Sequence, residues 1–573
     1  MFIIALFHIK NMQDKLLKIL VCNEASFLST GYAVYGKELL NRLKEHPLFH
    51  VAELACYGFV NDTRDTDISW RYYANAVRNN DPRFNEYSLN QDNQFGKWRF
   101  EKTLLDFRPD VVIDIRDYWM NSYQAYSPMR QCYHWMIMPT VDSYPQQEQW
   151  LDTYSGADSV FTYSDWARDV LRSQTSGNIN YIDTASPGIN TTKYKILDSN
   201  KVRSDLKINL DNIIIGSVMR NQKRKLIPEL IKSTRLLIDK LESESSQLAE
   251  KVFLYLHTGY PDYLGWDIPS ILKENRMLNR TLFTYLCKNC GKIFSDVYSG
   301  SHRSCVHCGG EATFPTVTDG VTQDQMISIF NALDIYVQYS ICEGFGMPQV
   351  EAAACGVPVV TIPYSAMEDI VNKIEAYPVN IATLFKELET QAYRAYPDNN
   401  SLVEILYKFI KIPSPMRFQK RIKTRNLCVE HFNWDNIIKK WEHRLEHILE
   451  EKRRTSLDKY EMFKKRPLRP RLDLQNIINS PGSDLTKLSQ ICSEYLNDTY
   501  SVDSYFILNI LQKLKSGFQM ENQKIIPYDW KNAVDYFNTI IGNNNTVINF
   551  LNKNETITED FIEYAKLKDP KHE

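Results

Sequence analysis

With 573 residues, 43% of them hydrophobic and 24% charged, the chain is too long for one hydrophobic core and too apolar for a disordered one. Its 68 basic and 70 acidic residues leave a net charge of −2, which excludes a global field for nucleic acid or anionic membrane and leaves polyanion binding to local basic patches. Seven of the 11 cysteines (Cys22, Cys56, Cys132, Cys342, Cys355, Cys428 and Cys492) stand singly, several in apolar runs, which speaks against a disulfide framework and for a reducing compartment, the cytoplasm.

The first apolar run, residues 2–7, is shorter than the ~7–15 residues of a signal-peptide core and has no basic start, so export is not expected. Because Met12 precedes the first clear strand, residues 1–11 read as a start-site extension. No stretch reaches the ~18–20 apolar residues of a membrane span.

A strand over 18–22, a polar glycine-containing turn over 23–31 and a helical pattern through Val34, Leu39, Leu40 and Leu43 open a βαβ unit. Further strands are predicted over 51–57, 109–115, 133–138 and 157–163, the last followed by a helix with Ser164 as N-cap. A second alternation starts with strands over 212–217 and 252–257, is interrupted at about 280–315, and resumes with a helix over 323–332. Strands over 334–338 and 357–362 follow, separated by a glycine-rich turn and a helix. Two consecutive α/β units place a crevice at the carboxyl ends of two parallel sheets, where such sheets bind ligands. An amphipathic helix is predicted over 426–450, then a basic arm over 452–471 and a mainly helical module over 472–573.

The stretch 343–360 follows a strand and opens a helix. Its small residues let backbone amides approach a ligand, and the helix N-terminus favours an anion. Glu343 and Glu351, eight apart, add acceptor oxygens, so the matching ligand carries both phosphates and hydroxyls, as a nucleotide sugar does. Taken singly, a strand, a turn and a helix with two surface glutamates would read the same way.

This run resembles the E-x7-E signature of retaining GT-B glycosyltransferases of the family-4 kind, including the flanking Glu-Gly-Phe-Gly-Met-Pro and Cys-Gly-Val-Pro-Val-Val. The resemblance implies a GT-B fold, with two Rossmann-like domains at 15–200 (acceptor side) and 201–425 (donor side) and a terminal helix at 426–450 returning to the first. It covers roughly 18–450 and leaves 451–573, a basic linker and helical extension, unexplained. It also implies a nucleotide-diphosphate sugar, a UDP-sugar, as donor. Glu343 would contact the donor sugar, Glu351 the ribose, and the amides of Phe345, Gly346 and Met347 the phosphates. Arg220 and Lys225 have the family's spacing for a pair that clamps the diphosphate, with Lys223 and Arg224 as neighbours in the same basic loop. Gly31 occupies the place of the glycine that approaches donor phosphate, although a tight turn alone also calls for glycine. His134 is the nearest equivalent of the family's mid-domain histidine. It lies at the start of its strand, which suits a structural histidine better. Asp142 lies beyond the end of that strand. Asp114 and Asp117 are candidates for the acceptor cleft or for helix capping.

The interruption at 280–315 carries Cys287, Cys290, Cys305 and Cys308 in a C-x2-C-x14-C-x2-C pattern, a zinc-ribbon spacing with a glycine after each second cysteine. Four thiolates suit a closed, structural Zn²⁺ site, and two disulfides are the alternative. His302 and His307 are not needed as ligands. There is no G-x4-G-K-[ST] loop and no G-x-G-x-x-G fingerprint, and Asp65-x-Asp67 sits in a polar stretch without a clear preceding strand, so no catalytic divalent metal is expected.

The motifs around Thr30–Gly36 and Trp135–Asp142 also resemble glycosyltransferases of tailed bacteriophages. That resemblance implies hydroxymethylated pyrimidines of duplex DNA as acceptor, in the host cytoplasm, gripped by local cations of the ribbon (Lys288, Lys292, Arg303), of a patch at 417–425 and of the arm (Lys464, Lys465, Arg466). A lipid or polysaccharide acceptor, or a non-catalytic nucleic-acid-binding protein on the same scaffold, are the alternatives.

Overall fold

The computed structural model describes residues 16–59, 62, 68–81, 84–316, 319–454 and 459–460. The start-site extension, Asp65-x-Asp67, the cations Lys464, Lys465 and Arg466, and the module expected at 472–573 lie outside the described residues.

Strands β1 (Leu17–Glu24), β2 (Phe49–Cys56), β3 (Arg71–Ala74), β4 (Val111–Asp114), β5 (His134–Ile137), β6 (Ser159–Thr162) and β7 (Ile182–Thr184) form one sheet in the order 3-2-1-4-5-6-7. All neighbouring pairs are parallel. Alternate residues of β1 feed two separate cores. Leu17, Ile19 and Val21 join the helix Gly31–Leu43, and Leu20 and Cys22 join Phe100, Leu104 and Phe107 of the helix Lys97–Phe107. A strand buried on both faces must be apolar throughout, which is why it reads as a continuous hydrophobic run.

The second sheet holds β8 (Ile213–Val218), β9 (Val252–His257), β10 (Thr281–Cys287), β11 (Ile293–Val297), β12 (His302–Ser304), β13 (Glu311–Thr313), β14 (Ile335–Gln338), β15 (Val359–Thr361) and β16 (Tyr377–Pro378). Its parallel part runs 10-9-8-14-15-16. Strand β11 pairs antiparallel with β10 over Leu282–Leu286, β13 antiparallel with its far end at Leu286 and Cys287, and β12 with β13. The cysteine-bearing insertion is therefore an extension of this sheet, sharing β10 with it. Strand order reverses between β1 and β4 and between β8 and β14, so each sheet has a switch point at its carboxyl edge.

Several elements escaped sequence reading. Strands β3 and β7 are only four and three residues long. A hairpin, β17 (Ile381–Lys386) with β18 (Tyr393–Pro397), stands off the sheets, and β17 is exposed along most of its length, so it offered no buried face to pattern. The amphipathic helix predicted over 426–450 is two helices, Ser414–His431 and Trp434–Arg454. They break where Phe432 buries fully and the Asn433 side chain accepts from the Asp435 amide at 3.0 Å.

Chain and side chains tie the two units together. In the helix Trp434–Arg454, Trp441 stacks on Phe161 at 4.2 Å between centroids and donates to the Tyr35 hydroxyl at 3.0 Å. Asp369 of the second unit accepts from the Asp165 and Trp166 amides at 2.8 and 3.0 Å, the first turn of the helix Asp165–Gln174 that Ser164 caps. A carboxylate on exposed N-terminal amides is a favourable end contact for a helix. No helix among the described residues is long and apolar enough to cross a membrane.

Candidate active site

A cleft of about 610 Å³ lies between the carboxyl edges of the two sheets. The first unit contributes Ser26–Ser29 and Gly31 after β1, Thr140 after β5 and Gly188–Asn190 after β7; the second contributes Arg224, Glu343–Met347 and Glu351. Two helix N-termini face each other across it. Thr30 caps the helix Gly31–Leu43, its hydroxyl accepting from the Ala33 amide at 3.3 Å. Gly31 has no positive φ, and a Cβ there would meet nothing within 4 Å. The tight-turn explanation for this glycine therefore fails: it is the first residue of a helix, open to the cleft.

Opposite, Gly346 is the N-cap of the helix Met347–Ala354 with φ +84, a conformation that a side chain would strain. A Cβ at Gly346 would come within 2.4 Å of Gln349 Nε2, and one at Gly344 within 2.4 Å of the Thr140 methyl across the cleft. Phe345, Gly346 and Met347 line the cleft beside these amides. Converging helix N-termini concentrate unpaired N–H groups and positive dipole ends, an anion-binding arrangement.

Glu343 is 4% exposed and saturated with donors. Lys225 Nζ and Gln338 Nε2 (2.7 Å) donate to its Oε1, and Arg224 Nη1 donates to Oε2 at 2.8 Å. Its backbone amide donates to Ser365 Oγ at 3.0 Å. Burial alone would raise its pKa, but the charges of Lys225 and Arg224 and their hydrogen bonds outweigh burial and bring it to about 2. Glu351 contrasts with it. Tyr194 Oη donates to its Oε1 at 2.9 Å, no cation among the described residues pairs with it, and burial pushes it up to about 7.

The basic loop after β8 divides its labour differently from the spacing argument. Lys225 is 8% exposed at its side chain and lies under Glu343, outside the cleft lining. Arg224, 41% exposed, is the cation of this loop that lines the cleft. Arg220 stands apart, 55% exposed and paired with Asp262 at 3.2 Å. The sequence put Arg220 beside the phosphates; here its guanidinium pairs with the loop after β9 and does not line the cleft. Arg224, Tyr194 and Gln338 were missed as site residues. Only Arg224 left a trace, as a neighbour in the basic loop.

The acceptor-side candidates resolve into different tasks. Asp114 is buried in an ion pair with Arg116 and accepts from Asn121 and Gln124 at 3.1 and 2.6 Å, so it is a strut below the cleft. Asp142 pairs with Arg394 at 2.9 Å and accepts from the Cys342 thiol at 3.3 Å, joining the units. His134 bonds Ser159 Oγ at 2.8 Å and is held neutral, its pKa lowered to about 4 chiefly by burial. Asp117 begins the short helix Tyr118–Asn121 without capping it. Burial raises its carboxyl, which lies beside the hydroxyls of Tyr32 and Thr140, themselves 2.8 Å apart at the cleft wall.

The four motif cysteines cluster, with all Sγ atoms within 4.8 Å of one another. Cys287–Cys308 and Cys290–Cys305 separations are 3.5 and 3.8 Å. Disulfide sulfurs would be ~2.05 Å apart. Sulfurs at Zn–S distances of ~2.3 Å around a tetrahedral ion are ~3.8 Å apart. The two knuckles are matched: Gly291 and Gly309 take φ of +66 and +75 and donate back to the Cys287 and Cys305 carbonyls at 3.0 and 2.8 Å. The Cys290 and His307 amides point at Cys287 and Cys305 sulfurs at 3.4 and 3.3 Å. His302 bonds Glu311 at 2.6 Å and His307 bonds the Ile293 carbonyl at 3.3 Å, so both rings are engaged away from the thiols.

Of the cations expected to grip a polyanion, Arg421 and Arg425 are committed to backbone carbonyls, whereas Lys423, Arg303 and Lys288 sit in surface ion pairs. Arg421 donates to the Leu333 and Cys355 carbonyls at 3.4 and 3.3 Å, and Arg425 to those of Tyr194 and Thr191 at 2.6 and 2.9 Å. Lys423 pairs with Glu375 at 2.5 Å. On the ribbon, Arg303 pairs with Asp296 at 2.5 Å and Lys288 with Glu311 at 3.6 Å.

Residues 316–390, which contain Glu343 and Glu351, match the protein family described as Glycosyl transferases group 1. The fold is similar to solved structures of sucrose-phosphate synthase from Thermosynechococcus elongatus (TM-score 0.55, 16% identity, 76% of this chain and 100% of that one). It is similar also to a glycosyltransferase from Rickettsia africae (0.53, 12%, 76% and 99%) and to Anabaena HepE in complex with UDP and glucose (0.52, 14%, 75% and 100%). At such identities the likeness is one of fold, a GT-B-like pair of α/β units. No curated protein matches the sequence.

Proposed function

We propose that this chain, a GT-B-like fold with a group 1 glycosyl transferase segment, transfers a sugar from a UDP-sugar to an acceptor hydroxyl with retention at the anomeric carbon. The observation that carries the reading is the pair of opposed helix N-termini, at Gly31 and Gly346, flanking an ionised Glu343. Amides of Gly31, Phe345, Gly346 and Met347 hold the diphosphate, Glu343 takes donor-sugar hydroxyls and Glu351 takes the ribose. UDP and glucose in the HepE complex support the choice of donor.

The state of Glu343 supports a transfer without a covalent intermediate on this residue. A carboxylate with three donors and a pKa of about 2 is a poor nucleophile and a poor base. The C1–O bond to phosphate breaks as the acceptor oxygen attacks from the same face, and the acceptor proton passes to the departing phosphate oxygen. Arg224 at the cleft wall offsets the negative charge that grows on that phosphate, while Lys225 holds Glu343 ionised beneath it. Arg220 reaches it only by breaking its Asp262 pair. Cys287, Cys290, Cys305 and Cys308 hold a structural Zn²⁺, which supplies no chemistry to this step.

The test is UDP release from a panel of UDP-sugars, without acceptor and then with duplex DNA containing hydroxymethylpyrimidines, with lipids and with glycans. Hydrolysis or transfer from at least one donor is expected. A folded protein that binds and cleaves none of them overturns the reading. Arg421 and Arg425 are committed to backbone carbonyls, so transfer to DNA would have to rely on the remaining cations of the ribbon and the 417–425 patch or on the arm.

Donor binding should also depend on pH. Glu351 accepts ribose hydroxyls best as a carboxylate, and its pKa is raised to about 7, so affinity for UDP rises as pH increases through 7. Glu351→Gln should bind more weakly and flatten the profile between pH 6 and 8, measured by titration calorimetry. An unchanged slope in the variant removes Glu351 from the ribose.

A further inference from the structure

The ribbon is joined to the cleft by a continuous chain of bonds. Gln325 lies in the first turn of the helix Gln323–Ala332, where its Oε1 accepts from the Thr322 amide at 2.9 Å and the Thr322 hydroxyl accepts from its own amide at 3.3 Å. The same side chain, through Nε2, donates to the Gly291 carbonyl at 2.6 Å, in the knuckle that carries Cys287 and Cys290. One residue thus closes a capping box and clamps the cysteine knuckle to the helix start.

That helix start is a wall of the cleft: Val321 and Gln323 line it with Glu351. Gln323 Oε1 accepts from Lys193 Nζ at 3.1 Å, its side chain lies beside the Tyr194 hydroxyl, and Tyr194 donates to Glu351. From the other side, β13 feeds the chain toward this helix while its Ala312 is in register with Cys287 on β10. The Lys288 amide donates to the Glu311 carbonyl at 2.9 Å and that of Cys305 to Gly310 at 2.7 Å.

We propose that the cysteine ribbon is a positioning device for the nucleoside end of the donor: through Gln325 it fixes the turn bearing Gln323, and through Tyr194 the carboxylate Glu351. This rests on the reading of the cleft as a UDP-sugar site. It gives the insertion a task at the donor, where the sequence had suggested the acceptor. Gln325 touches no reacting atom and acts through its neighbours.

Two variants separate the clamp from the cap. Gln325→Ala removes both. Gln325→Glu keeps an oxygen for the Thr322 amide but cannot donate to the Gly291 carbonyl. With zinc content, thermal melting and UDP affinity measured on each purified full chain, both variants should retain the metal and bind UDP about tenfold more weakly. The donor KM should rise in both with kcat little changed, a split that a general loss of folded protein would not give. Zinc-bound variants with parental UDP affinity overturn the inference, and so does weakening in Gln325→Ala but not in Gln325→Glu, which would assign the effect to the cap. If the folded, zinc-bound parent binds no UDP, the donor reading itself falls, and this inference with it. Weak UDP binding by Glu351→Ala beside unaffected Gln325 variants would leave the donor reading standing alone.

Discussion

Replacing Lys225 with methionine is expected to lower kcat/KM for the donor by about 10²-fold, the cost of displacing the carboxylate Glu343 that Lys225 holds in place. The same change should destabilise the fold by about 3–5 kcal/mol, because it leaves Glu343 buried with only Gln338 and the half-exposed Arg224. The two effects are separable. In Lys225→Met/Glu343→Gln the buried charge is gone on both sides, so stability should return to within about 1 kcal/mol while activity stays lost. Urea unfolding and steady-state kinetics on the three proteins decide the matter. A single variant within twofold of the parent in rate excludes Lys225 from catalysis.

The pair also sets an acid limit. Glu343 binds its proton less readily in the folded chain, at about 2 against an ordinary 4.5, so its contribution is complete above about 4.5 and fades as pH falls toward 2. In Lys225→Met the folded carboxyl titrates at higher pH, so this contribution should be smaller and exhausted at higher pH, its onset still near about 4.5.

Zinc removal is expected to have the second large effect. The purified chain should contain about one zinc per molecule, bound by Cys287, Cys290, Cys305 and Cys308, and Cys290→Ser should lose it. Damage will not stay local, because the ribbon shares a core with the second sheet. Tyr285 of β10 stacks on Phe294 of β11 at 5.5 Å between centroids and lies 4.8 Å from Phe314, which in turn lies 5.2 Å from Phe283. Loosening β11–β13 exposes this cluster, and each aromatic side chain returned to water costs about 1.5–3 kcal/mol. A loss of about 3 kcal/mol corresponds to a fall in Tm of roughly 6–12 °C. Metal-free protein with parental Tm, or with Cys287, Cys290, Cys305 and Cys308 in two disulfides, overturns the assignment.

Features that are local and periodic are legible in the amino-acid order. Strands β1, β8 and β14 announce themselves because a parallel strand covered on both faces can carry little but apolar residues. Gly346 and the two glutamates stand at fixed offsets around one turn, and the cysteine knuckles need four thiols and two glycines at short spacings. Which charges are available depends on how the chain packs. Lys225 and Glu343 meet across 118 residues, Arg394 and Asp142 across 252, and Arg421 and Arg425 end on carbonyls of distant elements. A cation's role depends on the partner opposite it, and that partner is set by how loops from two sheets are brought together. Spacing within the basic loop therefore pointed to Arg220, while packing turned Arg220 to Asp262, sank Lys225 beneath Glu343 and left Arg224 facing the cleft.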